Sequence, residues 1–129
     1  MNRIIILNEE LESQMHLYLV LCEQYRVEIA EDEATLMRMI RRKKPRLVLL
    51  DAAYSGFNNN GKSVFRSIEK IKRKYEQLKI ITIFDREEPS LISRAEKSGS
   101  DGVLLRPLEE CDVLERVATQ LNMPKAVCT

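Results

Sequence analysis

Short apolar runs alternate with longer amphipathic segments along the whole chain. Arg3–Leu7 (RIIIL) is a β-branched run between polar residues and predicts a buried strand. Between Glu10 and Tyr25 apolar residues recur at Leu11, Met15, Tyr18, Leu19 and Cys22, a helical spacing that predicts these side chains as the buried stripe. Arg26–Ala30 (RVEIA) is a second short strand. Asp32 has the chemistry of a helix N-cap, and Leu36, Met37 and Ile40 form the stripe of a second helix. Its basic end, Arg41–Lys44, suits the negative pole of a helix dipole, and Pro45 stops it. Arg46–Leu50 (RLVLL) is a third strand that runs into Asp51. A loop over 52–61 follows, then a helix with Val64, Phe65, Ile68, Ile71 and Tyr75 on one side. Lys79–Phe84 (KIITIF) is the fourth strand. Pro89 opens a fourth helix and Gly99 is a candidate C-cap. Gly102–Leu105 is the fifth strand, and Val113, Leu114, Val117, Ala118 and Leu121 give the last helix its apolar face.

Five strand–helix units whose strands lack strict alternation predict a parallel sheet covered by helices on both faces. Right-handed crossovers then give one doubly wound (βα)5 domain of the α/β class. Residues 1–122 are expected to form that domain, with 123–129 as a short tail.

Composition adds little to this picture and removes some alternatives. The chain has 129 residues, 44% apolar and 32% charged, with a formal net charge of +1. That balance fits a folded soluble domain and gives no overall attraction to nucleic acid or an anionic membrane. No apolar run approaches the length of a membrane span, and the apolar start is too short for a signal peptide, so a cytoplasmic location is expected. The three cysteines, Cys22, Cys111 and Cys128, have no metal-site spacing and read as reduced thiols.

In a doubly wound sheet, ligands bind beyond the carboxyl ends of the strands, where strand order reverses. The residues at those ends are Asn8 and Glu9, Glu31, Asp51, Phe84 and Asp85, and Arg106. If the order is 2-1-3-4-5, the flavodoxin-like arrangement, the first and third strands are neighbours and Glu9 meets Asp51. Two carboxylates there repel unless a cation intervenes, and oxygen ligands with water suit Mg²⁺. Arg106 offers a fixed positive charge for a carboxylate or a phosphate.

The segments RIIILNEE, RLVLLD and GSDGVLLRPLEE resemble the response-regulator receiver domains of two-component signalling, and the similarity spans nearly the whole chain. The resemblance implies a chemotaxis-regulator-like domain, not an enzyme, in which Asp51 accepts a phosphoryl group. Its partners would be a sensor histidine kinase or phosphotransfer protein, and a downstream protein or fused effector; a homodimer through the last two units would also resemble the family. Glu9, Asp51 and the Ala53 carbonyl would hold Mg²⁺, Arg106 would contact the phosphoryl oxygens, and the Arg106–Pro107 peptide bond would be cis.

The departures from the pattern are specific. Asn8 stands in place of the first of two acids, Glu9 in place of an aspartate, Arg106 in place of a lysine and Phe84 in place of a threonine or serine. Arginine is a planar fork and lysine a point charge, so that exchange is not conservative. Thr82 lies about 6.6 Å deeper in the sheet and does not substitute for a hydroxyl at position 84. Val103 stands where the family has an aromatic switch residue, and the loop before Gly61 is about two residues longer than the pattern. A switch that needs a hydroxyl at position 84 is therefore weak or absent. The competing expectation is a degenerate pseudo-receiver, a protein-interaction module that works without phosphate. An enzyme or nucleotide site is disfavoured because no glycine-rich loop follows the first strand.

Overall fold

The computed structural model describes residues 2–58 and 63–124. Its strands are β1 (Arg3–Leu7), β2 (Arg26–Ala30), β3 (Leu47–Asp51), β4 (Lys79–Phe84) and β5 (Gly102–Leu105). Its helices are α1 (Leu11–Leu21), α2 (Glu33–Lys43), α3 (Val64–Lys74), α4 (Pro89–Ser98) and α5 (Glu110–Gln120). A short 3-10 turn spans Ser55–Asn58. All strand pairs are parallel, as the alternation of elements predicts, and the order is β2-β1-β3-β4-β5, the flavodoxin-like arrangement.

The register explains the continuous apolar runs. Ile5, Leu7, Val48, Leu50, Ile80 and Phe84 project to one face, where they meet α2, α3 and α4. Ile4, Ile6, Leu47, Leu49, Ile81, Ile83 and Leu104 project to the other, against α1 and α5. With helices on both faces, successive strand residues are all buried, so the alternation of a half-exposed sheet is absent. Helix ends follow local chemistry. Asp32 caps α2 by accepting from the Thr35 amide at 2.7 Å, and Ser63 caps α3 through the Arg66 amide at 3.2 Å. Gly99 closes α4 at φ 119°, a conformation in which glycine avoids the cost of a Cβ.

Helix α1 departs from the expected register. Its buried residues are Ser13, Leu17 and Leu21, while Leu11, Met15, Tyr18 and Leu19 are 70%, 56%, 45% and 65% exposed. The helix (LESQMHLYLVL) carries apolar residues almost all round, so periodicity offers two competing faces. The sheet selects the one that carries Leu17 and Leu21. A second correction concerns the thiols: Cys22 is free, but Cys111 is disulfide-bonded. Cysteine spacing along the chain does not report which sulfurs the fold brings together. The loop residues 59–62 and residues 125–129, Cys128 among them, lie outside the described residues, so most of the expected tail 123–129 does too.

Candidate functional site

β1 and β3 are adjacent, so their carboxyl ends deliver Asn8 and Asp51 side by side at the switch point of the sheet. Asp51 is the last residue of β3 and is only 3% exposed; Asn8 is fully buried. A buried carboxylate needs compensating donors or a cation. Asp51 has both. Its Oδ1 accepts from the Ala53 amide at 2.9 Å and from Arg106 Nη1 at 3.1 Å. Its Oδ2 accepts from Asn8 Nδ2 at 2.8 Å and from Arg106 Nη2 at 2.7 Å. Arg106 follows β5 directly and reaches Asp51 as a bidentate fork.

The same guanidinium reaches further. Nη1 donates to Asp85 Oδ1 at 3.1 Å, and Nη2 donates to Ser13 Oγ at 3.2 Å. Ser13 Oγ also accepts from Asn8 Nδ2 at 3.0 Å. One arginine thus ties the ends of β3 and β5, the loop after β4 and the first turn of α1. Burial works against the Arg106 charge. Its hydrogen bonds to Asp51 and the charges of Asp51, Asp85 and Glu10 outweigh burial and hold the guanidinium above its ordinary range. The Arg106–Pro107 peptide bond is cis.

Glu9 is placed differently from the expectation that it faces Asp51. Its Oε1 accepts from the Ser55 amide at 2.8 Å and its Oε2 from Ser55 Oγ at 2.9 Å. Both carboxylate oxygens are thereby engaged with the 3-10 turn after β3. Asn8 Oδ1 is engaged too, by the Glu10 amide at 2.7 Å. These observations test the site for Mg²⁺. The first acid of the pattern is an amide whose nitrogen faces Asp51, Glu9 is held by Ser55, and a guanidinium already sits across both Asp51 oxygens. Among the described residues, no group of three or more His, Cys, Asp or Glu side chains is arranged to hold a metal ion. The residues present, as arranged, do not fit a magnesium centre.

Phe84 is 5% exposed and packs in the core layer with Phe57, Phe65 and Leu91. No hydroxyl takes its place. Thr82, fully buried, shares a hydrogen bond of 2.8 Å with Ser100 Oγ, deep beneath the site. Val103 is half-buried on β5 against the same layer. The sequence reading missed Ser13, which links Asn8 to Arg106. Its position one turn into α1 carries no motif, and a serine in a helix gives no signal by itself.

Comparison with known proteins agrees with this architecture. A response regulator from Thermotoga maritima superposes with a TM-score of 0.83 at 20% identity, covering 94% of this chain and 98% of that one. A response regulator receiver domain protein from Methanospirillum hungatei JF-1 gives 0.82 at 20% identity, over 95% and 94%. NtrX from Brucella abortus gives 0.81 at 18% identity; there 95% of this chain matches only 26% of the longer protein. No family model and no curated protein matches the sequence. The fold is that of response-regulator receiver domains. At these identities the likeness establishes the fold, and function has to be argued from the site.

Proposed function

We propose that this chain is a single receiver-fold interaction module of two-component signalling, held in one state without phosphate. One observation carries the proposal. An ionised carboxylate offers about four acceptor sites, and four donors fill them at Asp51: Ala53, Asn8 and the two arms of Arg106. Arg106 supplies from within the chain the positive charge that a metal or a phosphoryl group would otherwise organise. Phe84 fills the place of a switch hydroxyl with core packing. The module then works through protein contacts, with the face of α4, β5 and α5 as its output surface. It is not an enzyme on this reading. Its partners are a downstream protein or a fused effector, in keeping with the longer NtrX chain that the fold matches, and a homodimer is compatible with it. A cytoplasmic setting follows from that role. Among the described residues no helix is long and apolar enough to cross a membrane.

The runner-up reading is that Asp51 accepts a phosphoryl group from a sensor histidine kinase or phosphotransfer protein. Its support is the position of Asp51 at the carboxyl end of a central strand, with a guanidinium on its oxygens that could transfer to phosphoryl oxygens. In that reaction an Asp51 oxygen attacks phosphorus, the phosphorus–nitrogen bond of the phosphohistidine breaks, and an acyl phosphate forms. The attacking oxygen must first be released from Arg106.

Acetyl phosphate with Mg²⁺, read by intact mass spectrometry, separates the readings. The interaction module predicts no phosphoryl adduct on the native chain. An adduct formed by the native chain and lost in Asp51→Asn overturns the module in favour of the phosphoacceptor. An adduct seen only in Arg106→Lys supports the proposal by locating the block in the fork. Arg106→Lys is the useful variant because Phe84→Thr would also open a cavity in the core.

A further inference from the structure

At the opposite end of the sheet, the ends of α2 and α3 enclose a groove that the Asp51 site does not use. Its volume is about 380 Å³, within the range of small-molecule sites. Ile40, Pro45, Tyr75 and Leu78 form its apolar walls, and three cations, Arg41, Lys44 and Arg46, line it together with Gln77 and one carboxylate, Glu76. The enclosing backbone is fixed. The Lys44 amide donates to Ile40 O at 3.1 Å, with Lys44 in the left-handed region at φ 49°. The Leu78 amide donates to Tyr75 O at 3.0 Å and the Lys79 amide to Arg46 O at 3.2 Å. The groove is therefore preformed.

The charges lining the groove are the informative part. Two cations nearby have partners, Lys43 with Glu28 at 2.6 Å and Lys72 with Asp101 at 2.7 Å. Among the described residues, Arg41, Lys44 and Arg46 have no ion-pair partner, and all three are exposed. Arg41 belongs to the last turn of α2 and, with Arg42, Lys43 and Lys44, complements the negative end of its dipole. Arg46 lies beyond Pro45, outside α2 altogether. Three cations against the one carboxylate of Glu76 leave the groove with a positive excess.

We infer that this groove binds a small amphiphilic anion, with a carboxylate or phosphate head at Arg41, Lys44 and Arg46 and an acyl or aryl body on Ile40, Tyr75 and Leu78. A nucleic-acid backbone would use the cations and leave the apolar concavity unfilled, so the free small molecule is the favoured occupant. The inference is independent of how Asp51 works.

The test is titration of the full chain with decyl phosphate at concentrations where it is monomeric, followed by amide chemical shifts. The expected result is saturable binding with shifts confined to Arg41–Arg46 and Tyr75–Leu78. Decanol, which lacks the charge, and inorganic phosphate, which lacks the body, should each bind at least about tenfold more weakly, as should Lys44→Glu and Arg46→Glu. Lys97→Glu, an exposed cation on α4, should bind as the native chain does. The inference is overturned by no binding, by shifts centred elsewhere, or by an equal loss in Lys97→Glu. Binding only to anionic vesicles, or to a DNA duplex but not to decyl phosphate, overturns it as well.

Discussion

Removing the guanidinium from Arg106 should be the most informative single perturbation of stability. In Arg106→Met the apolar stem is retained while four hydrogen bonds are lost, two of them to Asp51. The bond to Asp85 matters least, because that side chain is 66% exposed. The Asp51 side chain is only 5% exposed and that of Arg106 21%, so the variant leaves a buried carboxylate with Asn8 and Ala53 as its remaining donors. Breaking a buried pair by removing one partner costs ~3–5 kcal/mol. The partial exposure of Arg106 places this case near the lower end, about 3 kcal/mol. With a urea dependence of roughly 2 kcal/mol per molar for a domain of this size, the unfolding midpoint should fall by about 1.5 M. Asp51→Asn should cost less, because the arginine left behind keeps Asp85 and more solvent. The double variant should be more stable than the sum of the single losses predicts, by about 2 kcal/mol. A loss below about 1 kcal/mol in Arg106→Met, with no coupling in the cycle, would place the pair among ordinary surface ion pairs and refute the internal lock.

Three further outcomes follow from the packing. Leu17→Ala should lower stability by about 3 kcal/mol while Leu19→Ala changes it by less than about 0.5 kcal/mol, checked by urea unfolding, because α1 buries the first and exposes the second. Tyr25 is 1% exposed and its hydroxyl has no hydrogen-bond partner among the described residues, so Tyr25→Phe should be neutral or stabilising by up to about 1 kcal/mol; a loss above 1 kcal/mol would reveal a hidden partner. Burial also raises the pKa of the Tyr25 phenol, so its contribution is complete below the ordinary tyrosine pKa and is lost as pH rises above it; alkaline unfolding should be less steep in Tyr25→Phe. Gly99→Ala should cost about 1 kcal/mol or more in thermal unfolding, since φ is 119° and the added Cβ would meet Lys72 Cγ at 2.8 Å.

Much of this protein is determined locally. Apolar runs of four to six residues between amphipathic segments specify five strands and five helices, and right-handed crossovers leave few ways to assemble them. Asp32, Pro45, Pro89 and Gly99 mark helix ends because capping and backbone geometry depend on neighbours in the chain. Asp51 and Arg106 are identifiable as candidates for one site because strand ends of a parallel sheet converge at one edge.

Other features exist only once distant segments meet. α1 is apolar on more than one side, and only its contact with the sheet selects Leu17 over Leu19. Glu9 follows β1 as the pattern requires, yet Ser55, 46 positions away, takes its carboxylate. The four donors on Asp51 come from three separate stretches of chain, those of Asn8, Ala53 and Arg106, and Ser13 joins them with no motif to announce it. Local preferences act over a few residues and are written in order along the chain. Side-chain partnership acts over a few ångströms, and the folded sheet alone decides which residues come that close.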